Sequence, residues 1–195
     1  DIPRQIFLLI LFSMGAALIF VDTGWAEYSI LQAKSIDEFA FHKSLLNIYD
    51  GITRMDMRAT FSYGFLSYGF TWFFLNVAAS FPFLSEAGNP YAIIIPRLVT
   101  SAFFIMSTLV VTKLISTSQI KYNFGSIFAI LFILSMPGMW LNAVWFHPDF
   151  AMSFFILCAL YFLVKAKIQF NRHYWLGIFM FGLGISIKLQ AITFG

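Results

Sequence analysis

Asp37 and Glu38 stand side by side in the stretch Ser35-Ile36-Asp37-Glu38-Phe39-Ala40-Phe41-His42. A carboxylate can take a proton from a hydroxyl or amide, or hold a divalent metal through oxygen. Neighbours on a helix point about 100° apart, so one acid can face a ligand while the other pairs with a cation. Both also suit a first helical turn, where they complement the helix dipole without any chemistry. His147-Pro148-Asp149 is the second group. An ionisable residue at the mouth of an apolar run is a functional candidate because charge near hydrocarbon is costly; an acid there can equally reach out to water. One His beside one Asp is a weak metal signature, and His42, His147 and His173 have no zinc-site spacing, so a divalent metal stays an open option. Arg97 and Lys188 are the third group. A cation at headgroup depth can hold a phosphate and steady the charge of a phosphate leaving group, or extend its stem to the interface. Tyr63, Tyr68 and Trp72 can stack on a ligand's apolar face or line the membrane boundary.

The elements that must carry these residues are apolar. Of 195 residues, 60% are hydrophobic, 20% aromatic and 11% charged, with 26 Phe. Soluble domains carry about 25% charged residues, and a soluble core of this length could not hide so much apolar surface. The chain belongs among integral membrane proteins. Apolar runs cover residues 6–21, 92–115, 124–144, 150–164 and 175–194, with Lys188 inside the last and Pro137-Gly138 weakening the third. Asp22 and Trp25 mark an interface after the first run, which reads as an uncleaved first helix rather than a signal peptide. Residues 22–62 are the least hydrophobic part. There Ser35 and Glu38 form a capping box, predicting a helix from Ile36 to Tyr49 that stops at Asp50-Gly51 and lies along the membrane surface.

Residues 64–84 are long enough to cross but carry Ser67, Thr71, Asn76 and Ser80, with Pro82 near the end. Charge decides between a span and a surface helix. If the segment does not cross, the short loops with Arg4, Lys113, Lys121, Lys165, Lys167 and Arg172 share one side, and every acid except Asp1 lies on the other. The excess of Lys and Arg in cytoplasmic loops favours that arrangement. The expected fold is therefore all-α: a polytopic protein with about five transmembrane helices and a large outer loop, 22–91, carrying two surface helices. Residues 1–195 make one membrane domain, with no repeat and no low-complexity linker. The start at Asp1 without Met, and the end at Gly195 just after an apolar run, lead us to expect the N-terminal portion of a longer protein.

Several functions are disfavoured. The net charge of +3 is spread along the chain and forms no basic stripe, so no nucleic-acid partner is expected. The single cysteine, Cys158, lies in an apolar run and cannot form an internal disulfide. There is no P-loop, GxGxxG or HExxH, which argues against direct use of a nucleotide-activated donor.

In order, Asp37-Glu38 after the first run, Tyr63-Gly64 opening an aromatic segment, Pro96-Arg97-Leu98, Asp149 at a later run, and Gly184 with Lys188 resemble the GT-C superfamily of membrane glycosyltransferases. The likeness is greatest to the branch of protein O-mannosyltransferases and the lipid A aminoarabinose transferase. It implies transfer of a sugar from a polyprenyl- or dolichyl-phosphate donor to a protein or glycolipid acceptor, on the non-cytoplasmic face and usually with inversion. It implies a bacterial inner membrane or an endoplasmic reticulum membrane. Asp37 matches the family's acid at the acceptor, the expected general base, and Glu38 its neighbour. Tyr63, Arg97, His147, Asp149 and Lys188 are the expected substrate-binding residues. The family also has two surface helices in its first outer loop. The family's later spans and soluble C-terminal domain have no counterpart in these residues, so the fragment alone is expected to be inactive. The competing expectations are a transporter of a lipid-linked precursor, which the apolar mid-spans disfavour, and a non-catalytic scaffold subunit with an exposed acidic pair.

Overall fold

A computed structural model describes residues 35–64, 68–86, 88–117, 143–167 and 169–189. These residues are helical, joined by turns, with one isolated antiparallel bridge between Tyr68 and Lys188. The helices are α1 (Ile36–Thr53), α2 (Met57–Phe61), α3 (Phe70–Ser80, continued by a 3-10 turn, Phe81–Phe83), α4 (Tyr91–Thr117), α5 (Asp149–Ala166) and α6 (Arg172–Ile187).

Two helices are long and apolar enough to cross a membrane: α4 over Tyr91–Val111 and α5 over Asp149–Ala166. At 1.5 Å per residue they extend about 32 and 27 Å, close to the ~30 Å of a hydrocarbon core. They match two of the five expected spans. The runs at 6–21 and 124–142 lie outside the described residues. The final run departs from expectation, because α6 ends at Ile187 after 16 residues and Lys188 follows in extended backbone. Lys188 therefore follows a helix end rather than standing inside a continuous helix. Segment 64–84 holds the 11-residue α3, about 16 Å long, roughly half of what crossing needs.

Helix α1 buries a stripe of Glu38, Phe41, Leu45 and Ile48, spaced as one helical face requires. The expected capping box is absent: Ser35 makes no side-chain cap bond, and Glu38 turns inward on this stripe. The helix also runs through the expected stop at Asp50-Gly51 to Thr53. Gly51 is needed there for close approach, because a Cβ at this position would lie 2.5 Å from the Thr60 backbone nitrogen. Asp56 caps α2 by accepting from the Ala59 amide at 3.1 Å. The stripe of α1 meets Trp72, Phe73 and Val77 of α3 and Phe146 in one buried cluster. Phe41 is its hub, edge-on to Tyr68, Phe73, Phe146 and His147 at 5.0 to 5.9 Å. Trp72, read from sequence as a boundary aromatic, is fully buried and stacks on Phe146.

Helix α4 packs against α5 through Phe103 and Phe104, whose rings meet those of Phe154 and Phe150. Buried hydroxyls line α4. Thr100, Ser101, Ser107 and Thr108 each bond back to the carbonyl four residues earlier, so these polar groups are satisfied inside an apolar helix. Ser101 also donates to the Ala143 carbonyl at 2.8 Å. Helices α5 and α6 form an antiparallel hairpin, with Phe162 stacked on His173 at one end and Asp149 bonded to Lys188 at the other. The turn between them is closed by Lys167 in the left-handed region and by Asn171, whose side chain caps α6. This turn carries the basic residues. Asp149 and Lys188 are about 27 Å away along α5.

Candidate functional site

The sequence-selected residues gather at the end of the molecule where α4 and α5 begin. Two ionic clusters form there, joined by residues 146–149.

The inner cluster is Glu38 with Arg97. Arg97 lies in the second turn of α4 and donates from Nε to Glu38 Oε1 at 2.6 Å and from Nη2 to Oε2 at 2.9 Å. The amide of Phe146 donates to the same Oε1 at 3.1 Å. Glu38 is 2% exposed and Arg97 9%. The fork matches two planar groups at charge-assisted distance, and the additional amide completes the carboxylate. Arg97 therefore turns into the protein, and neither guanidinium nitrogen bonded to Glu38 is open to a phosphate. His42 sits one turn along α1, with its ring 5.2 Å from that of Phe146. Burial, and then the charge of Arg97, push its pKa down to about 3. It is a neutral member of the core at any physiological pH.

The outer cluster centres on Asp149, whose side chain is 42% exposed. Lys188 Nζ lies 2.5 Å from Oδ1, and His147 Nδ1 lies 3.0 Å from Oδ2. The Lys188 ammonium is covered by the Tyr68 ring, with Nζ 5.0 Å from the ring centroid. Tyr68 and His147 meet edge to face at 6.1 Å.

Asp37 is exposed on α1, one residue from the anchored Glu38 and so on a different face. Tyr63 was expected to present a ring to a ligand. It is instead 7% exposed, packed on Phe70 and Phe73. Its hydroxyl donates to the Tyr68 carbonyl at 3.1 Å, and its own carbonyl accepts from Ser44 at 2.7 Å. Tyr63 thus ties down the segment that leads to Tyr68. Burial pushes its phenol pKa up.

The donor set of the described residues does not fit a resident divalent metal. Among the described residues no three His, Cys, Asp or Glu side chains converge. At Asp149 a metal ion would also confront the Lys188 ammonium already held on Oδ1.

Sequence reasoning missed three contributors. His42 and the inward turn of Glu38 were both legible in the spacing of Glu38, Phe41, His42, Leu45 and Ile48 along one helical face. The Phe146 amide carries no sequence signal, because any residue supplies a backbone N–H. No protein-family model, curated protein or solved structure matches this chain.

Proposed function

We propose that the protein is a membrane glycosyltransferase that moves a sugar from a polyprenyl- or dolichyl-phosphate donor to a protein or glycolipid acceptor. The reading includes five spans, the surface placement of α1 and α3, and a site on the non-cytoplasmic face of an integral membrane protein. The single observation behind it is the gathering of Glu38, Arg97, His147, Asp149 and Lys188 from separated segments at one end of two apolar helices. Charges near hydrocarbon are costly, and such a concentration is more than two apolar helices need for packing. The basic turn between α5 and α6 lies at the opposite end, in keeping with cytoplasmic Lys and Arg and a non-cytoplasmic site.

In this reading the acceptor oxygen or nitrogen bonds to the anomeric carbon as the bond from that carbon to the phosphate oxygen breaks. The lipid phosphate leaves with the electron pair, and the acceptor proton passes to a carboxylate. Asp37 is the carboxylate free to face an acceptor. Glu38, fixed by Arg97, is a positioning residue that sets the rotation of α1 and hence the direction of Asp37. Lys188 meets the charge growing on the phosphate, with Asp149 and His147 holding it in place.

The test is Asp37→Asn in the full-length protein, assayed for sugar transfer from a polyprenyl-phosphate donor in native membranes. Loss of a general base lowers turnover by about 100-fold or more, with insertion and helix content unchanged. Wild-type turnover in this variant sinks Asp37 as the base.

A further inference from the structure

Lys188 is held by more than its partner acid. The segment before α3 and the end of α6 meet in an antiparallel bridge between Tyr68 and Lys188, and the Gly69 amide donates to the Ile187 carbonyl at 2.7 Å. The approach is so close that a Cβ at Gly69 would fall 1.6 Å from the Ser186 carbonyl oxygen; no other residue fits there without parting the two strands. This backbone contact sets the Tyr68 ring over the Lys188 ammonium. The ring is itself fixed edge-on by Phe41 at 5.0 Å, and the Tyr68 carbonyl is held by the Tyr63 hydroxyl. Lys188 is consequently 7% exposed, although the acid it pairs with is 42% exposed. A lysine has four rotatable bonds and ordinarily samples many positions. Here one face of the ammonium lies against a π-system and another against Asp149.

We propose that Tyr68 is a positioning residue for Lys188: its ring and backbone clamp the ammonium in one place beside Asp149, so that an anionic phosphate ligand meets a fixed cation. This rests on the reading of Lys188 as the cation that receives the donor phosphate. A cation held over an aromatic face needs no reorganisation when the ligand's charge develops. The clamp also links α3 to the end of α6, so the surface segment and the cation move as one unit.

The clamp is measured without reference to catalysis, by the rate at which Lys188 in the purified full-length protein is acylated by an amine reagent, read by mass spectrometry. Tyr68→Leu raises the rate about tenfold, because the ring's hold is lost. Tyr68→Phe stays within about twofold of wild type, since the π-face remains. Phenylalanines carrying successive ring fluorines at position 68 keep the shape but drain the π-face, and raise the rate stepwise to about fivefold. Should Tyr68→Leu fail to fold, the fluorinated series decides, because a purely steric role for the ring gives one rate across it. A flat series, or a folded Tyr68→Leu variant labelled at the wild-type rate, overturns the proposal. Transfer assays on the same samples keep the two readings apart. A graded labelling series in a protein without transfer activity upholds the clamp and sinks the transferase. Transfer with a flat series sinks the clamp alone.

Discussion

The two ionic clusters are built from the same chemistry and used in opposite ways. Glu38 and Arg97 are sealed from solvent, forked together, and completed by the Phe146 amide. Asp149 shares its oxygens between Lys188 and His147 and keeps nearly half its side chain open. A sealed pair gains its mutual attraction only by giving up hydration, so its role is to fix geometry. A half-open carboxylate keeps water as an alternative partner, and its partners can be exchanged. The first cluster is closed to solvent, and the second remains open to water at Asp149.

The strongest way to break this contrast is to unpair the sealed cluster. Arg97→Ala leaves a buried carboxylate without its cation and is expected to cost about 3–5 kcal/mol, read by denaturation in detergent. The paired change Glu38→Leu with Arg97→Met removes both charges and should recover most of that loss. Recovery of stability without recovery of transfer would separate folding from positioning. A loss below about 1 kcal/mol for Arg97→Ala would mean that the cluster is wetter than its geometry.

Acid probes the same sealed region through His42. Its pKa in the folded protein is about 3, against 6.5 as the ordinary value, so the unfolded chain takes up the proton first. Stability is therefore level above pH 6.5 and falls as pH drops below it, with a limiting slope of about 1.4 kcal/mol per unit down to pH 3. Between pH 6.5 and pH 5 the expected loss is about 2 kcal/mol. His42→Phe removes this part of the pH dependence. An unchanged profile in the variant would assign the acid sensitivity elsewhere.

The open cluster should be far less sensitive. Asp149→Asn is expected to cost about 1 kcal/mol, because the pair is partly solvated, while markedly speeding acylation of Lys188. Smallest of all, Asp37→Asn should change stability by less than about 0.5 kcal/mol. A destabilisation above about 2 kcal/mol there would show that Asp37 has a structural task and weaken its assignment as the base.

Much of this arrangement was legible from the chain. Apolar run length located α4 and α5 to within a few residues. The acid pair, Arg97, Asp149 and Lys188 were visible as costly charges in greasy surroundings. What local patterns could not give was pairing. Ser35 and Glu38 have the spacing of a capping box, yet the long-range partner Arg97 outweighs the local bond, since a forked ionic pair exceeds a cap in strength. Tyr63 and Trp72 have the composition of boundary aromatics, and only packing against Phe70, Phe73 and Phe146 shows them inside. Lys188 stands within the largely apolar stretch 175–194, which reads as one continuous span; the helix ends where the Lys188 backbone pairs with Tyr68 instead.

The sealed carboxylate also imposes an order on biosynthesis. Glu38 waits 59 residues for Arg97 and 108 for the amide of Phe146. At about 5–20 residues per second, the ribosome delivers the first partner after roughly 3–12 s and the second after roughly 5–22 s. Throughout that interval α1 has emerged with an unmatched acid on the face that will become its core. Water must keep hydrating that face until α4 is made. Burial of that face of α1 thus waits on residues far along the chain, and α1 settles against partners that are made after it.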